Sequence, residues 1–303
     1  MEFSLRFIAV MLWAASALAQ PVDSETLPPA VERCLGCHDD AASNALLHGP
    51  HAVLADTRNR FAELGCASCH GPSEAHMQRP PRGQPRAATD IRFAPGEGGG
   101  AGDGVCLDCH RSSAMHWIGS AHADAGLACV DCHRLHVIED PVLHADGEIA
   151  QCSSCHRKEH SEFLRPSAHP VLDGRMRCTD CHAPHGSSSP GELKGLSLND
   201  TCHGCHAELR GPFLWEHPPA REDCMSCHRP HGSPHPSLLT QRTPFLCQQC
   251  HLAQFHPSTA LSGTGLSSGS LPSGSTSLMG RDCMNCHEQV HGSNHPSGPG
   301  FTR

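Results

Sequence analysis

The segment CTDCHAPHG (178–186) has two cysteines separated by two residues, a histidine directly after the second cysteine and another histidine three residues later. Its core pattern, C-x-x-C-H, occurs ten times and accounts for all 20 cysteines of the 303-residue chain. We number these motifs 1 to 10 in chain order. Their cysteine pairs are Cys34 and Cys37, Cys66 and Cys69, Cys106 and Cys109, Cys129 and Cys132, Cys152 and Cys155, Cys178 and Cys181, Cys202 and Cys205, Cys224 and Cys227, Cys247 and Cys250, and Cys283 and Cys286. The histidines that follow are His38, His70, His110, His133, His156, His182, His206, His228, His251 and His287.

C-x-x-C-H is the attachment signature of c-type haem. Each cysteine sulfur forms a thioether with a haem vinyl group, and the two intervening residues match the spacing of the vinyls. The next residue, histidine, supplies the proximal nitrogen ligand of the iron. Zinc ribbons and redox dithiols also use C-x-x-C, but neither requires histidine after every pair. The ten repeats therefore predict ten covalently bound haem c groups.

The composition predicts the class of fold. Aromatic residues make up only 4% of the chain, and tyrosine is absent. Because a chain of this length normally buries a large aliphatic and aromatic core, the porphyrins must form most of the core here. We expect a multihaem cytochrome c fold that is mostly irregular, with short α-helices, for example over Val31–Leu47, and little or no β structure. No folded state without haem is expected.

The spacing of the motifs predicts their arrangement. Seven successive motifs, from motif 3 to motif 9, begin 22 to 26 residues apart, whereas the first two gaps (32 and 40 residues) and the last (36 residues) are longer. Even spacing predicts an elongated wire of haems laid down in chain order. We treat residues 20–303 as one decahaem cytochrome domain. The ten motifs also divide into two pentahaem halves, 20–165 and 166–303, but no shift in composition marks that boundary.

Three further segments carry recognisable signals. Residues 1–19 are predicted to be a cleaved secretory signal peptide, because a short apolar run (7–17) leads into an A-x-A cleavage site at 17–19. Haem attachment requires an exported chain, so the two interpretations agree. Two stretches rich in Gly, Pro, Arg or Ser, 78–104 and 258–280, predict surface loops.

The charge argues against a nucleic-acid partner. The formal net charge is −9 with histidine neutral, and Lys158 and Lys194 are the only lysines. Haem propionates would add further negative charge. The basic surface that binds nucleic acid is therefore not expected.

The supply of histidine bears on the second axial ligand of each haem. An open axial position implies catalysis or gas binding, and a filled one implies electron transfer. Of 27 histidines, ten are proximal, which leaves 17 for ten distal positions. We therefore predict bis-histidine ligation throughout and an electron-transfer protein without enzymatic activity. The second histidine in His182-Ala183-Pro184-His185 and in similar segments cannot easily bend back to its own haem, so it is expected to bind a neighbouring one.

Several segments resemble the MtrA/DmsE family of decahaem cytochromes. They are CHGPSEAH (69–76), CHRLHVIEDPVL (132–143), CTDCHAPHGS (178–187), SLNDTCHGCHAELRGPFLWEHPP (197–219), FLCQQCH (245–251) and CMNCHEQVHGSNHPSG (283–298). The resemblance covers most of the chain after residue 19 and includes residues outside the haem motifs. It implies a periplasm-facing electron conduit that inserts into a large outer-membrane β-barrel porin. It also implies an extracellular multihaem cytochrome at the far end and a periplasmic or inner-membrane cytochrome as electron donor or acceptor.

The resemblance also proposes distal ligands. Eleven histidines match positions where the family pattern carries histidine, one more than the ten places require: His48, His76, His122, His136, His169, His185, His217, His231, His256, His291 and His295. Six others have no such match and are not expected to be ligands: His51, His116, His144, His160, His203 and His235.

Two alternative functions remain open at this point. One is a free periplasmic electron shuttle, which would work without a barrel. The other is a multihaem reductase of a small oxyanion such as nitrite, which would need one five-coordinate haem. Neither the direction of electron flow nor the terminal donor or acceptor, such as ferrous iron or a metal oxide, follows from the sequence.

Overall fold

A computed structural model describes residues 27–56, 58–251 and 282–301. The expected signal peptide (1–19), the loop 258–280 and His256 lie outside these residues. Within them the chain is mostly irregular and is punctuated by short helices, as predicted. The α-helices are α1 (Pro29–Leu35), α2 (Ala41–Leu46), α3 (Arg60–Leu64), α4 (Ala67–His70), α5 (Glu74–Met77), α6 (Gly100–Cys109), α7 (Ala121–Asp124), α8 (Cys129–Cys132), α9 (Ala145–Cys155), α10 (Arg157–Phe163), α11 (Cys178–Cys181), α12 (Leu198–His203), α13 (Pro218–Glu222) and α14 (Phe245–Gln248). Single 3-10 turns lie at Pro50–Ala52, Pro141–Leu143, Pro190–Glu192, Ala207–Leu209, Cys224–Ser226, Pro236–Leu238 and Cys283–Asn285.

Each C-x-x-C-H motif forms one helical turn. In all ten motifs the backbone N–H of the histidine donates to the carbonyl oxygen of the first cysteine, over 2.9–3.0 Å. This bond spans four residues, so the histidine lies one turn beyond that cysteine on the same side of the helix. The repeated motif therefore explains why so many helices are short.

The helix predicted over Val31–Leu47 is wrong, because two helices occupy this stretch. Helix α1 ends at Leu35, and α2 begins at Ala41. Motif 1 interrupts the helix, and Asp40 then caps α2 by accepting hydrogen bonds from the backbone N–H groups of Ala42 and Ser43, both at 3.0 Å. Apolar residues do lie at helical spacing in this stretch, but a side-chain cap begins a second helix.

The loop predicted over 78–104 extends only to residue 99, since α6 begins at Gly100. The carboxylate of Asp103 explains this difference. It accepts hydrogen bonds from the Trp117 indole N–H at 3.0 Å and from the Cys129 backbone N–H at 2.9 Å. These two contacts hold a glycine-rich stretch in a helix that its composition disfavours.

Strand structure is sparse in the described residues, as predicted. Strands β1 (Trp215–Glu216) and β2 (Gly292–Ser293) pair antiparallel, with Trp215 opposite Ser293. Three isolated bridges resemble this pairing and join Ser167 to Ser233, His182 to Leu193 and His228 to Leu239. The first bridge joins irregular segments 66 residues apart, and each of the other two joins residues 11 apart.

The protein atoms alone form a small apolar core. Its main cluster consists of Val31, Ala52 and Phe61, near motifs 1 and 2. Three other hydrophobic residues of the described part are buried: Trp117, Ala128 and Val171. Many large apolar side chains lie at the surface instead, including Ile118 and Leu196, which are more than four-fifths exposed. This distribution is what a chain that packs against porphyrins requires.

Polar side chains tie motifs together in pairs. Asp103 links the segment of motif 3 to motif 4. Glu148, in α9, accepts from the backbone N–H of Thr179 in motif 6 at 2.8 Å. The side-chain oxygen of Asn199 accepts from the backbone N–H of Cys224 in motif 8 at 3.0 Å. The Glu148 contact crosses residue 165, and the division into two pentahaem halves stays a prediction.

Candidate haem-binding centres

The first cysteines of paired motifs lie next to each other. Burial and the neighbouring Cys34 thiol raise the pKa of Cys66 to about 11. The Cys106 thiol contacts that of Cys129 and raises the pKa of Cys129, and the Cys178 thiol contacts that of Cys152 and raises the pKa of Cys152. Corresponding contacts join Cys202 to Cys224 and Cys247 to Cys283. The ten motifs are thus grouped as five pairs in chain order.

Eight of the motif histidines face a second histidine from another part of the chain. Their ring centroids are 5.8–6.2 Å apart. The facing rings, with the motif histidine first, are His38 and His76, His70 and His136, His110 and His51, His133 and His185, His156 and His122, His182 and His231, His228 and His291, and His251 and His217.

This separation fits two imidazoles on opposite sides of one metal ion. An imidazole nitrogen binds a transition metal at about 2 Å, and the ring centre lies about 1 Å beyond the nitrogen, so two trans ligands have centroids about 6 Å apart. Two imidazole rings stacked directly on each other would instead have their ring planes in van der Waals contact. The eight pairs therefore have the spacing that an axially ligated haem iron needs, and the residues present fit haem c.

The hydrogen bonds of these rings leave the correct nitrogen free. A backbone carbonyl can only accept, so a ring bonded to one must donate its Nδ1–H, which leaves the Nε2 lone pair available for a metal. Eight candidate axial histidines have this arrangement, with acceptors at 2.5–3.3 Å: His70, His76, His122, His169, His182, His217, His228 and His287. In His133 the acceptor is a side chain, the carboxylate of Asp140.

Burial favours the neutral form of several of these histidines. It lowers the pKa of His70, His185, His231 and His291 below the usual value for histidine. A neutral imidazole is the form that binds a metal. The protein environment therefore holds these side chains ready for ligation at neutral pH.

The structure brings to a facing position one histidine that the resemblance did not include among the distal ligands. His51, which the resemblance excluded, faces His110 with ring centroids 6.0 Å apart. Within the described residues, His48 lies exposed at the end of α2 and is not in that position. The reason is local: His51 lies in a 3-10 turn, and the Asn59 side chain donates to its carbonyl oxygen at 2.8 Å. The sequence signal was the Pro50 that starts this turn.

Three further histidines predicted as distal ligands are not among the eight facing pairs. His169 donates from Nδ1 to the carbonyl oxygen of Pro230, just as His122 does to that of Pro184. His256, five residues after the histidine of motif 9, is outside the described residues. His295 accepts at Nδ1 from the Ser297 backbone N–H at 3.2 Å, so its neutral ring carries the proton on Nε2, where a ligand needs a lone pair.

The other histidines not expected to be ligands have other surroundings. His144 pairs through Nε2 with Glu139 at 2.9 Å on the surface. The carbonyl oxygen of His116 lies against Gly186. His203 lies between the two cysteines of motif 7, while His160 lies in α10 and His235 precedes a 3-10 turn. Their exclusion as ligands stays a prediction.

Two glycines explain how the facing histidines reach distant motifs. Gly186 and Gly232 each follow a facing histidine, His185 or His231. A side chain at Gly186 would collide with the His116 carbonyl oxygen, and one at Gly232 with the Glu162 carbonyl oxygen. Only glycine permits the backbones to approach this closely. The glycine after the second histidine in C-H-x-x-H-G is thus a packing requirement.

No helix in the described ranges is long and apolar enough to cross a membrane.

Comparison with known proteins adds two findings to this geometry. Residues 169–211 and 217–255 each match the family described as "Doubled CXXCH motif". The two matches span motifs 6 and 7 and motifs 8 and 9, so they are offset by one motif from the pairs of first cysteines described above. The chain is also 43% identical over 274 residues to the protein named multiheme cytochrome MtrA from Shewanella baltica (strain OS185), covering 89% of this chain and 80% of that protein. The chain therefore belongs to the MtrA/DmsE family of multihaem c-type cytochromes, binds haem c covalently and functions in electron transfer.

Proposed function

We propose that this chain carries ten haems, each with two histidine ligands, and conducts electrons across the outer membrane between periplasmic carriers and extracellular donors or acceptors. The observation that carries the proposal is the set of facing histidines at 5.8–6.2 Å, opposite eight of the ten motifs. Haem iron, when bound, supplies one-electron redox chemistry. A filled pair of axial positions favours electron transfer over substrate reduction.

The chain's own residues attach and orient the cofactors. The 20 cysteines hold them covalently, and the ten motif histidines bind on the proximal side. Carbonyl oxygens such as those of Pro184 and Pro230 fix the orientation of the distal rings through Nδ1–H. Because the partners of each facing pair come from different motif segments, ligation also holds neighbouring segments together.

The structural repeat extends the distal assignment beyond the eight pairs. His122 faces a motif histidine 34 residues later, and so does His217. His169 makes the same backbone contact as both and precedes His206 by 37 residues. We assign His169 to His206 on this pattern and His256 to His287 as the remaining family match. His48 and His295 are then left without an axial role.

The contrast between His51 and His48 gives a matched test. Replacing His51 by Ala is expected to convert about one haem in ten from low-spin to high-spin, because the ring that faces His110 is removed. His48→Ala, three residues earlier on the same segment, is the control and should leave all haems low-spin. EPR of the ferric proteins, with the haem content measured chemically, distinguishes them. A high-spin signal in H48A but not in H51A would contradict the assignment.

Family membership supports a proposal for the location and the partners of this chain. We place the chain in the periplasm after cleavage of residues 1–19, associated with the outer membrane through a large β-barrel porin. An extracellular multihaem cytochrome and a periplasmic or inner-membrane cytochrome would meet its two ends. A barrel of this kind must be large, since small barrels fill with their own side chains.

Reconstitution tests the conduit. The chain is expected to co-purify with its barrel, and liposomes that contain the complex and enclose a reduced viologen should lose that reductant when ferric citrate is added outside. Liposomes with the barrel alone, and liposomes with the chain merely added outside, are the controls. A chain that stays monomeric in cells expressing the barrel would favour a free shuttle. A stoichiometric high-spin ferric haem in the wild-type chain would favour a reductase.

A further inference from the structure

One proximal histidine has a different hydrogen-bond acceptor from its counterparts. The second motif of each pair contains His70, His133, His182, His228 or His287. In four of them Nδ1 donates to a backbone carbonyl oxygen, that of Ile91, Gly191, Ser237 or Gly300. His133 instead donates to a carboxylate oxygen of Asp140 over 2.7 Å.

The Asp140 carboxylate is well fixed. It is 13% exposed, and its second oxygen accepts from the backbone N–H groups of Arg134 and Val142, each at 3.3 Å. Its backbone also begins the 3-10 turn Pro141–Leu143. The hydrogen bond between His133 and Asp140 is therefore part of an ordered loop and is unlike a flexible ion pair on the surface.

Other carboxylates approach candidate axial histidines at longer range. Their distances from Nδ1 are 3.4–3.9 Å: Glu162 to His231, Glu208 to His206, Glu159 to His156 and Glu192 to His122. Among the described residues, only Asp140 is within normal hydrogen-bond distance of a motif histidine.

We propose that Asp140 lowers the reduction potential of the haem at motif 4 relative to its four counterparts, so that this position is a local energy step within the chain. The inference rests on the proposed function, because it requires His133 to be an axial ligand. An imidazole that donates Nδ1–H to a carboxylate is a more basic ligand than one that donates to a carbonyl. A more basic axial ligand stabilises the ferric form, and hydrogen bonding around the axial ligand is an established means of adjusting haem potential.

Spectropotentiometry of the haem-loaded full chain tests this positioning role. Asp140→Asn keeps the size and the cap of the 3-10 turn but removes the charge. In D140N we expect about one-tenth of the haem absorbance to titrate at a higher potential. At a fixed potential, the ratio of reduced to oxidised haem at this position should be roughly tenfold larger. A tenfold ratio corresponds to a shift of 59 mV for a one-electron couple. Asp146→Asn removes the same charge at an exposed site six residues away and is the control. Asp140→Glu should retain the low-potential component.

The outcomes separate cleanly. The proposal is overturned if the D140N curve coincides with that of the wild type or of D146N, or if D140E shifts as far as D140N. If D140N fails to incorporate ten haems, Asp140→Ser, whose hydroxyl accepts a neutral hydrogen bond, is measured in its place with the same expectation. If the wild-type chain has ten low-spin haems and D140N leaves the haem potentials unchanged, only the role of Asp140 is rejected. If the wild-type chain has a high-spin haem, the proposed function itself is rejected.

Discussion

Production of this chain without haem attachment is expected to yield no folded protein. The described residues bury only six hydrophobic side chains, and their main cluster lies beside motifs 1 and 2. Large apolar residues elsewhere, such as Ile118 and Leu196, are more than four-fifths exposed. The apolar area available to the protein alone is too small to offset the conformational entropy lost on ordering a chain of this length.

The comparison requires the same gene in two hosts, with and without a functional system for cytochrome c maturation. Far-UV circular dichroism, thermal unfolding and limited proteolysis of the exported product would be measured. The haem-loaded chain should unfold cooperatively, and the haem-free chain should be degraded or lack a transition. An exported protein without haem, produced in both hosts, controls for general effects on secretion. A haem-free chain with a cooperative thermal transition would contradict this expectation.

The second large effect is expected for Glu148→Ala. The Glu148 side chain is only 2% exposed. Its carboxylate accepts from the Thr179 backbone N–H at 2.8 Å, the Thr179 hydroxyl at 3.0 Å and the Arg177 Nε–H at 2.6 Å. These bonds join α9, which carries motif 5, to motif 6. Removing the carboxylate leaves a half-buried guanidinium and a backbone donor without their partner, so we expect a loss of about 2–4 kcal/mol.

Denaturant unfolding of the haem-loaded protein measures this loss as a lower midpoint with an unchanged slope. Glu97→Ala is the matched control, since Glu97 pairs with Arg92 at 3.1 Å on the surface and both side chains are more than half exposed. Exposed pairs contribute at most about 1 kcal/mol. Equal midpoints for E148A and E97A would show that the contact between motifs 5 and 6 has no special importance. Both variants must retain the wild-type haem content for the comparison to hold.

Short-range features of the fold could be predicted because they depend on adjacent residues. Mostly irregular structure and short helices follow from ten motifs that each close one turn within five residues. Predictions failed where one particular side-chain contact, local or distant, decides where a helix begins. Helix α6 begins inside a glycine-rich stretch because Asp103 reaches Trp117 and Cys129. Helix α2 is separate from α1 because Asp40 caps it.

The ten C-x-x-C-H motifs suffice to predict which residues attach haem and bind it on the proximal side, because two cysteines and a histidine within five residues carry that chemistry in any fold. The motifs do not specify which second histidine faces each motif histidine. The facing rings are 34 to 66 residues apart in sequence, and their approach depends on backbone contacts such as that of Gly186 with His116. Only the tertiary structure could therefore distinguish His51 from His48, because a single 3-10 turn decides which of two nearby imidazoles faces His110.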